Sequence, residues 1–258
     1  MTTQPDQEFQ TALGADKSYM MPVSPWFFTN LPGFNKNWLW RSDGLWDLRW
    51  EQVMEIQPEF VEILTWNDWG ESNYINKVRQ KELALFTSAN AAINYAINMP
   101  HKGWLKFLPF YIAQYKAGGV APLVTEEKVA AYYRPHPATA CPSGGTTGNN
   151  RNFGQIEVPP EQLVEDNVFF AALLVSDADV TVTVSVGGNT QIATFTKFPT
   201  SGVGTAGVYQ GAVPFGTKTG DVVVTVTRAG MLIAKASGGP GISATCVGIV
   251  QNWNVVAL

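Results

Sequence analysis

The chain has 258 residues, 45% apolar and 15% charged, with a net charge of −4, enough apolar mass for one large domain or two modest ones. The low charge excludes the basic face of a usual nucleic-acid binder, and no Lys/Arg cluster marks a surface for anionic membranes. No apolar run is long enough to span a bilayer.

Met1–Gly14 is polar, carries Asp6 and Glu8, and shows no basic-then-apolar secretion signal. Residues 18–29 read as a strand running into a loop rich in Pro, Gly and aromatics. Residues 44–56 carry Leu45, Leu48, Val53 and Ile56 at helical spacing, with Trp46 and Trp50 four apart. Pro58 stops that helix, and residues 60–65 read as a buried strand around Val61 and Ile63. Helices are expected over 78–98 and 103–117, the second ended by Gly118-Gly119. Strand, helix, strand, helix is the pattern of a βαβ unit.

The pattern changes near residue 125. Residues 127–133 alternate like a strand, and 137–155 form a Pro/Gly/Asn/Thr-rich loop. Strands are then expected at 168–175, 179–187, 190–197, 206–213, 221–228, 231–236 and 245–256, separated by glycine turns, which predicts an antiparallel β-sandwich. The fold class is α/β plus all-β, with regions 1–124 and 125–258. Cys141 and Cys246 are either one disulfide or two unrelated buried thiols. Nothing near them resembles a metal-ligand set, and no metal or cofactor is expected. Oligomeric state is not legible.

The chemistry concentrates in Phe60–Tyr74, where an apolar run ends in Asp68 and Glu71, flanked by Trp66, Asn67, Trp69 and Tyr74. Beyond the carboxyl end of a strand in α/β architectures is where ligands bind. Two carboxyls among indoles suit sugar chemistry, with acids to move protons and flat apolar faces to hold a pyranose. The same spacing also fits a capped helix start with first-turn acids. Trp26, Trp66, Trp69 and Tyr74 are candidate stacking surfaces and Asn67 a hydroxyl ligand. For Trp66, packing inside the protein is the strong competing reading. Trp38 and Trp40 are read as loop indoles forming a wall or lid, and Lys36 as a solvated charge or a hydroxyl ligand. Gly70 is expected to permit the bend between the carboxylates.

Ser24–Asn30, Asn35–Asp43, the Thr-Trp-Asn-Asp-Trp-Gly-Glu-Ser core of Phe60–Tyr74, and Met99–Trp104 occur in the order found in glycoside hydrolase family 71. The sequence resembles the C-terminal part of that family, the fungal endo-α-1,3-glucanases or mutanases, from about Phe9 onward. Tyr132–Pro137 and Gly144–Asn149 are similar to the family's junction into its β domain. The resemblance implies hydrolysis of α-1,3-glucan, a polysaccharide partner, an extracellular or cell-wall setting, and Asp68 and Glu71 as the acidic pair of an inverting mechanism. In that mechanism Glu71 is taken as acid and Asp68 as base. It also implies a (β/α)8 barrel, which needs about 250 residues. Residues 1–124 would supply only its last two strand–helix units, a partial barrel followed by the β-sandwich. A truncated member with little or no turnover alone is therefore expected. The alternative is a noncatalytic polysaccharide-binding or structural module.

Overall fold

The computed structural model describes residues 2–258. The chain begins with helix α1 (Gln4–Leu13), for which the polar sequence gives no apolar signal. Charge holds it in place: buried Asp6 accepts hydrogen bonds from the Tyr19 hydroxyl at 2.6 Å and from both terminal nitrogens of Arg49 at 2.9 Å. Strand β1 (Met20–Val23), the short β2 (Trp38–Leu39), helix α2 (Leu45–Ile56) and strand β3 (Phe60–Ile63) follow. β1 and β3 pair in parallel, Met20 opposite Phe60 through Val23 opposite Ile63, and α2 connects them and packs on β1.

The helix expected over 78–98 is not formed. One 3-10 turn (Gln80–Glu82) and the short α3 (Ala84–Ser88) are all that is helical there. Asn90 and Asn98 take left-handed backbone conformations, and the Ala89 carbonyl accepts instead from Gly33 N at 2.8 Å. Asparagine favours such local alternatives to the helical ladder. The 103–117 segment likewise divides into a 3-10 turn (Lys102–Leu105) and α4 (Leu108–Lys116), because Pro109 is tolerated only in a first turn.

From Lys128 the chain is mostly antiparallel sheet: β4 (Lys128–Tyr133), β5 (Thr147–Gly148), β6 (Asn167–Leu174), β7 (Val180–Val186), β8 (Asn189–Ala193), β9 (Gly207–Pro214), β10 (Val222–Arg228), β11 (Met231–Ala236) and β12 (Val256–Ala257). One four-stranded sheet runs β12-β4-β6-β9, the other β11-β10-β7-β8, while β5 pairs in parallel with β2. The strand expected at 245–256 shrinks to β12, since Asn252 and Asn254 spend their side chains on nearby backbone groups.

Val129, Tyr133, Phe170 and Leu174 of the first sheet face Val182, Val184, Val224 and Val226 of the second in one apolar core. Ala130, Tyr132, Ala171 and Leu173, on the first sheet's other side, pack with Trp104 and Trp253 in the core shared with the helical region. A sheet buried on both faces reads as continuous apolar sequence, as β6 does, whereas β7 and β10 alternate. The first sheet has little room: a Cβ at Gly211 would lie 2.4 Å from the Phe170 ring. The late chain is tied back by the Cys141–Cys246 disulfide. Arg134, almost wholly buried, pairs with Asp166 at 2.8 Å and lies 5.8 Å over the Trp253 ring.

Candidate active site

Beyond β3 the chain makes a loop closed at its neck. Thr65 N donates to Asn73 O at 2.9 Å, Ile75 N to Thr65 O at 3.0 Å, and Asn76 N to Trp66 O at 3.2 Å. Asp68 and Glu71 occupy the enclosed segment. The Thr65 hydroxyl accepts from Asp68 N and donates to Asn73 Oδ1, both at 2.9 Å, and Asp68 Oδ1 accepts from Glu71 N at 2.9 Å. From outside, Phe28 N donates to Glu71 O at 3.1 Å, and the buried Tyr95 hydroxyl donates to Gly70 O at 2.6 Å. A capped helix start is not what forms here.

Gly70 serves a different purpose from a bend. A Cβ there would lie 2.8 Å from Leu85 Cδ2 and 3.1 Å from Leu31 Cδ1, so the position is set by close approach. The left-handed residue of the loop is Ser72, fully buried with φ 58°.

The two carboxyls differ electrostatically. Burial pushes Asp68 above the usual carboxylate range, and the neighbouring Glu71 charge adds to this; the Glu71 amide and Lys36 offset it in part. Asp68 Oδ2 has no hydrogen-bond partner among the described residues. Glu71 is ion-paired, its Oε1 2.6 Å from Lys36 Nζ, with Asn73 Nδ2 3.4 Å from Oε2. Lys36 is placed by a tight turn in which Leu31 and Lys36 exchange backbone hydrogen bonds.

The sequence-derived stacking candidates separate sharply. Trp66 is 56% exposed, and Asn67 is exposed beside it, so the residue read most strongly as interior is the open one. Trp26, Trp69 and Tyr74 are buried. Trp26 Nε1 donates to Trp253 O at 3.1 Å, and the Tyr74 hydroxyl donates to Met99 O at 2.7 Å while its ring stacks on His101 at 3.7 Å. In this structure those three indole and phenol rings are part of the interior that backs the loop. His101 is fully enclosed, its imidazole pushed down to about 4 by burial. Trp38 and Trp40 both stack on Phe27, at 5.9 and 4.2 Å.

Sequence reasoning missed Tyr95, Thr65 and Asn73 as supports, and left Lys36 without a partner. Thr65 and Asn73 lie inside the motif itself; nothing in the sequence distinguishes Tyr95. Among the described residues, no group of three or more His, Cys, Asp or Glu side chains is placed to hold a metal ion, and no helix is long and apolar enough to cross a membrane.

A loop beyond a strand end that presents one protonation-prone carboxyl and one ion-paired carboxylate is suited to paired acid and base chemistry. The sequence is 35% identical over 256 residues to a mutanase of Penicillium rubens, covering 99% of this chain and 51% of that protein. It is 33% identical over 240 residues to the glucan endo-1,3-alpha-glucosidase agn1 of Schizosaccharomyces pombe, covering 90% of this chain and 48% of that one. An ascus wall endo-1,3-alpha-glucanase of the same yeast is 36% identical over 107 residues, 42% of this chain and 24% of that protein. The chain thus spans about half the length of the first two. No solved structure matches it. The family match extends over residues 1–258, the carboxylate loop included, and the chain belongs to glycosyl hydrolase family 71.

Proposed function

We propose that this chain carries the acidic pair of an α-1,3-glucan hydrolase acting with inversion. The observation that supports this best is the asymmetry of the pair, with Asp68 pushed toward its protonated form and Glu71 paired with Lys36. On this reading the roles run opposite to those expected from sequence. Asp68 gives its proton to the glycosidic oxygen as the bond from that oxygen to the anomeric carbon breaks. Glu71 takes a proton from a water that attacks the same carbon from the opposite face, leaving a hemiacetal of inverted configuration. Inverting pairs stand about 6.5–9.5 Å apart to admit that water. Trp66 and Asn67, exposed beside the pair, are assigned as sugar contacts. The substrate follows the relatives, whose names specify 1,3-alpha-glucan.

In this reading β1, α2 and β3 are strand–helix units of a partial barrel in residues 1–124, and residues 125–258 are an accessory sandwich. An extracellular or wall setting suits the disulfide, which persists in oxidising compartments. One observation favours the noncatalytic alternative: among the described residues β1 and β3 form a two-stranded sheet, which offers few strand ends from which to build subsites.

The test is release of reducing ends from α-1,3-glucan over long incubation, with glucan pelleting in parallel. Slow turnover is expected, lowered about 10²–10⁴-fold by Asp68→Asn at unchanged pelleting. Turnover indifferent to Asp68→Asn would remove the assigned acid. Pelleting with no turnover at all would leave the noncatalytic module.

A further inference from the structure

Away from the carboxylate loop, a cavity of about 350 Å³ opens between α2 and α4 on one side and residues 198–210 of the sandwich on the other. It adjoins a wider groove of about 1170 Å³ that shares Glu51, Met54, Val120 and Phe198 with it. Neither contains Asp68 or Glu71.

Its walls have the character of a ligand site. Trp50 and Tyr111, stacked on each other at 5.3 Å and 6° and almost wholly buried, form its floor, and Phe198, 42% exposed at the sandwich side, is the aromatic face open to it. Largely buried Gln210 donates from Nε2 to Glu51 Oε1 at 2.9 Å. Among the described residues, Gln210 Oε1 and Glu51 Oε2 accept no hydrogen bond and remain free to accept from a ligand's donors. Around this cluster the groove presents Glu51 and Glu55 against one lysine, Lys197. That balance disfavours an anion. An open aromatic face at Phe198 plus spare acceptors fits a neutral ligand with apolar C–H faces and many hydroxyl donors, and cavities of about 300–1,000 Å³ where two regions meet are common ligand sites.

We propose that this junction groove binds a neutral saccharide chain, forming a second site that holds polysaccharide away from the carboxylates. Taking the saccharide to be α-1,3-glucan rests on the function proposed above; the groove as a saccharide site does not.

Calorimetric titration with α-1,3-gluco-oligosaccharides, run in Asp68→Asn to suppress turnover, tests it, with α-1,4- and β-1,3-gluco-oligosaccharides in parallel. Two classes of binding are expected; Phe198→Ala is expected to weaken the groove class at least tenfold, and Thr200→Trp, which fills the groove mouth, to abolish that class while binding at the carboxylate loop persists. The near-UV circular dichroism of both variants should match that of the parent. Binding unchanged in both variants, or no binding by any of the three sugars, overturns the proposal. Groove-dependent binding of another linkage in place of α-1,3 upholds the groove and overturns the substrate instead. Hydrolysis of short soluble oligosaccharides should be the same in Phe198→Ala as in the unmodified chain, since Phe198 lies outside the carboxylate loop.

Discussion

Between its sheets the sandwich buries valines, Phe170 and Tyr209, whereas the core that the helical region shares with the first sheet encloses Asp47, Asn73, Ser72 and His101 among its aromatics. In the sandwich the ladder hydrogen bonds satisfy the backbone, so side chains need only fill space. In the helical region much of the backbone is irregular, and side chains must supply the partners. Tyr95 serves Gly70, Tyr74 serves Met99, and the buried imidazole of His101 lies between Tyr74 O and Val255 O with one ring N–H to give. Polar networks of this kind fix one arrangement of an irregular loop, here the loop that carries Asp68 and Glu71.

The comparison can be broken most severely at Phe170. Phe170→Ala empties the space between the sheets and should cost about 3–5 kcal/mol in urea unfolding, while turnover per folded molecule stays unchanged. Turnover lost in proportion would mean that the sandwich shapes the site directly.

A somewhat smaller effect should come from Asp47, buried on α2 and accepting from the Tyr111 hydroxyl at 2.7 Å. Burial raises its carboxyl from 3.8 to about 6, against the opposing Tyr111 bond. The folded state therefore binds the proton more tightly than the unfolded chain. Its contribution is complete below about pH 4 and is lost as pH rises to about 6, on the order of 3 kcal/mol. Urea midpoints across that window should fall less steeply in Asp47→Asn than in the parent; parallel curves would refute the assignment.

Lys36→Met sharpens the contrast at the lowest amplitude. Without the ammonium, Glu71 loses its 2.6 Å partner and Asp68 loses a neighbour that lowers its proton affinity. We expect about a tenfold loss of turnover and an alkaline limb of the pH–rate profile moved to higher pH. Slower turnover with an unshifted limb would make Lys36 a structural residue alone.

Legibility followed the same division. Val180–Val186 and Val222–Arg228 alternate so regularly that their strands could be read directly, with glycines at Gly187, Gly188 and Gly230 supplying the turns. In the helical region α2 was readable from its spacing, but α1 was not, because a buried ion pair rather than an apolar stripe holds it. The segment 78–98 misled for the opposite reason: apolar residues at helical spacing did not prevent asparagines from turning the chain.

The sequence by itself determined the carboxylate motif, the sandwich strands other than β12, and the family, since each rests on local order along the chain. Tertiary structure decided which tryptophan of the motif is open, that Lys36 meets Glu71, that Gly70 is held by crowding, and that a groove opens at Gln210. Burial and electrostatic pairing depend on residues far apart in the chain, and no local pattern records them.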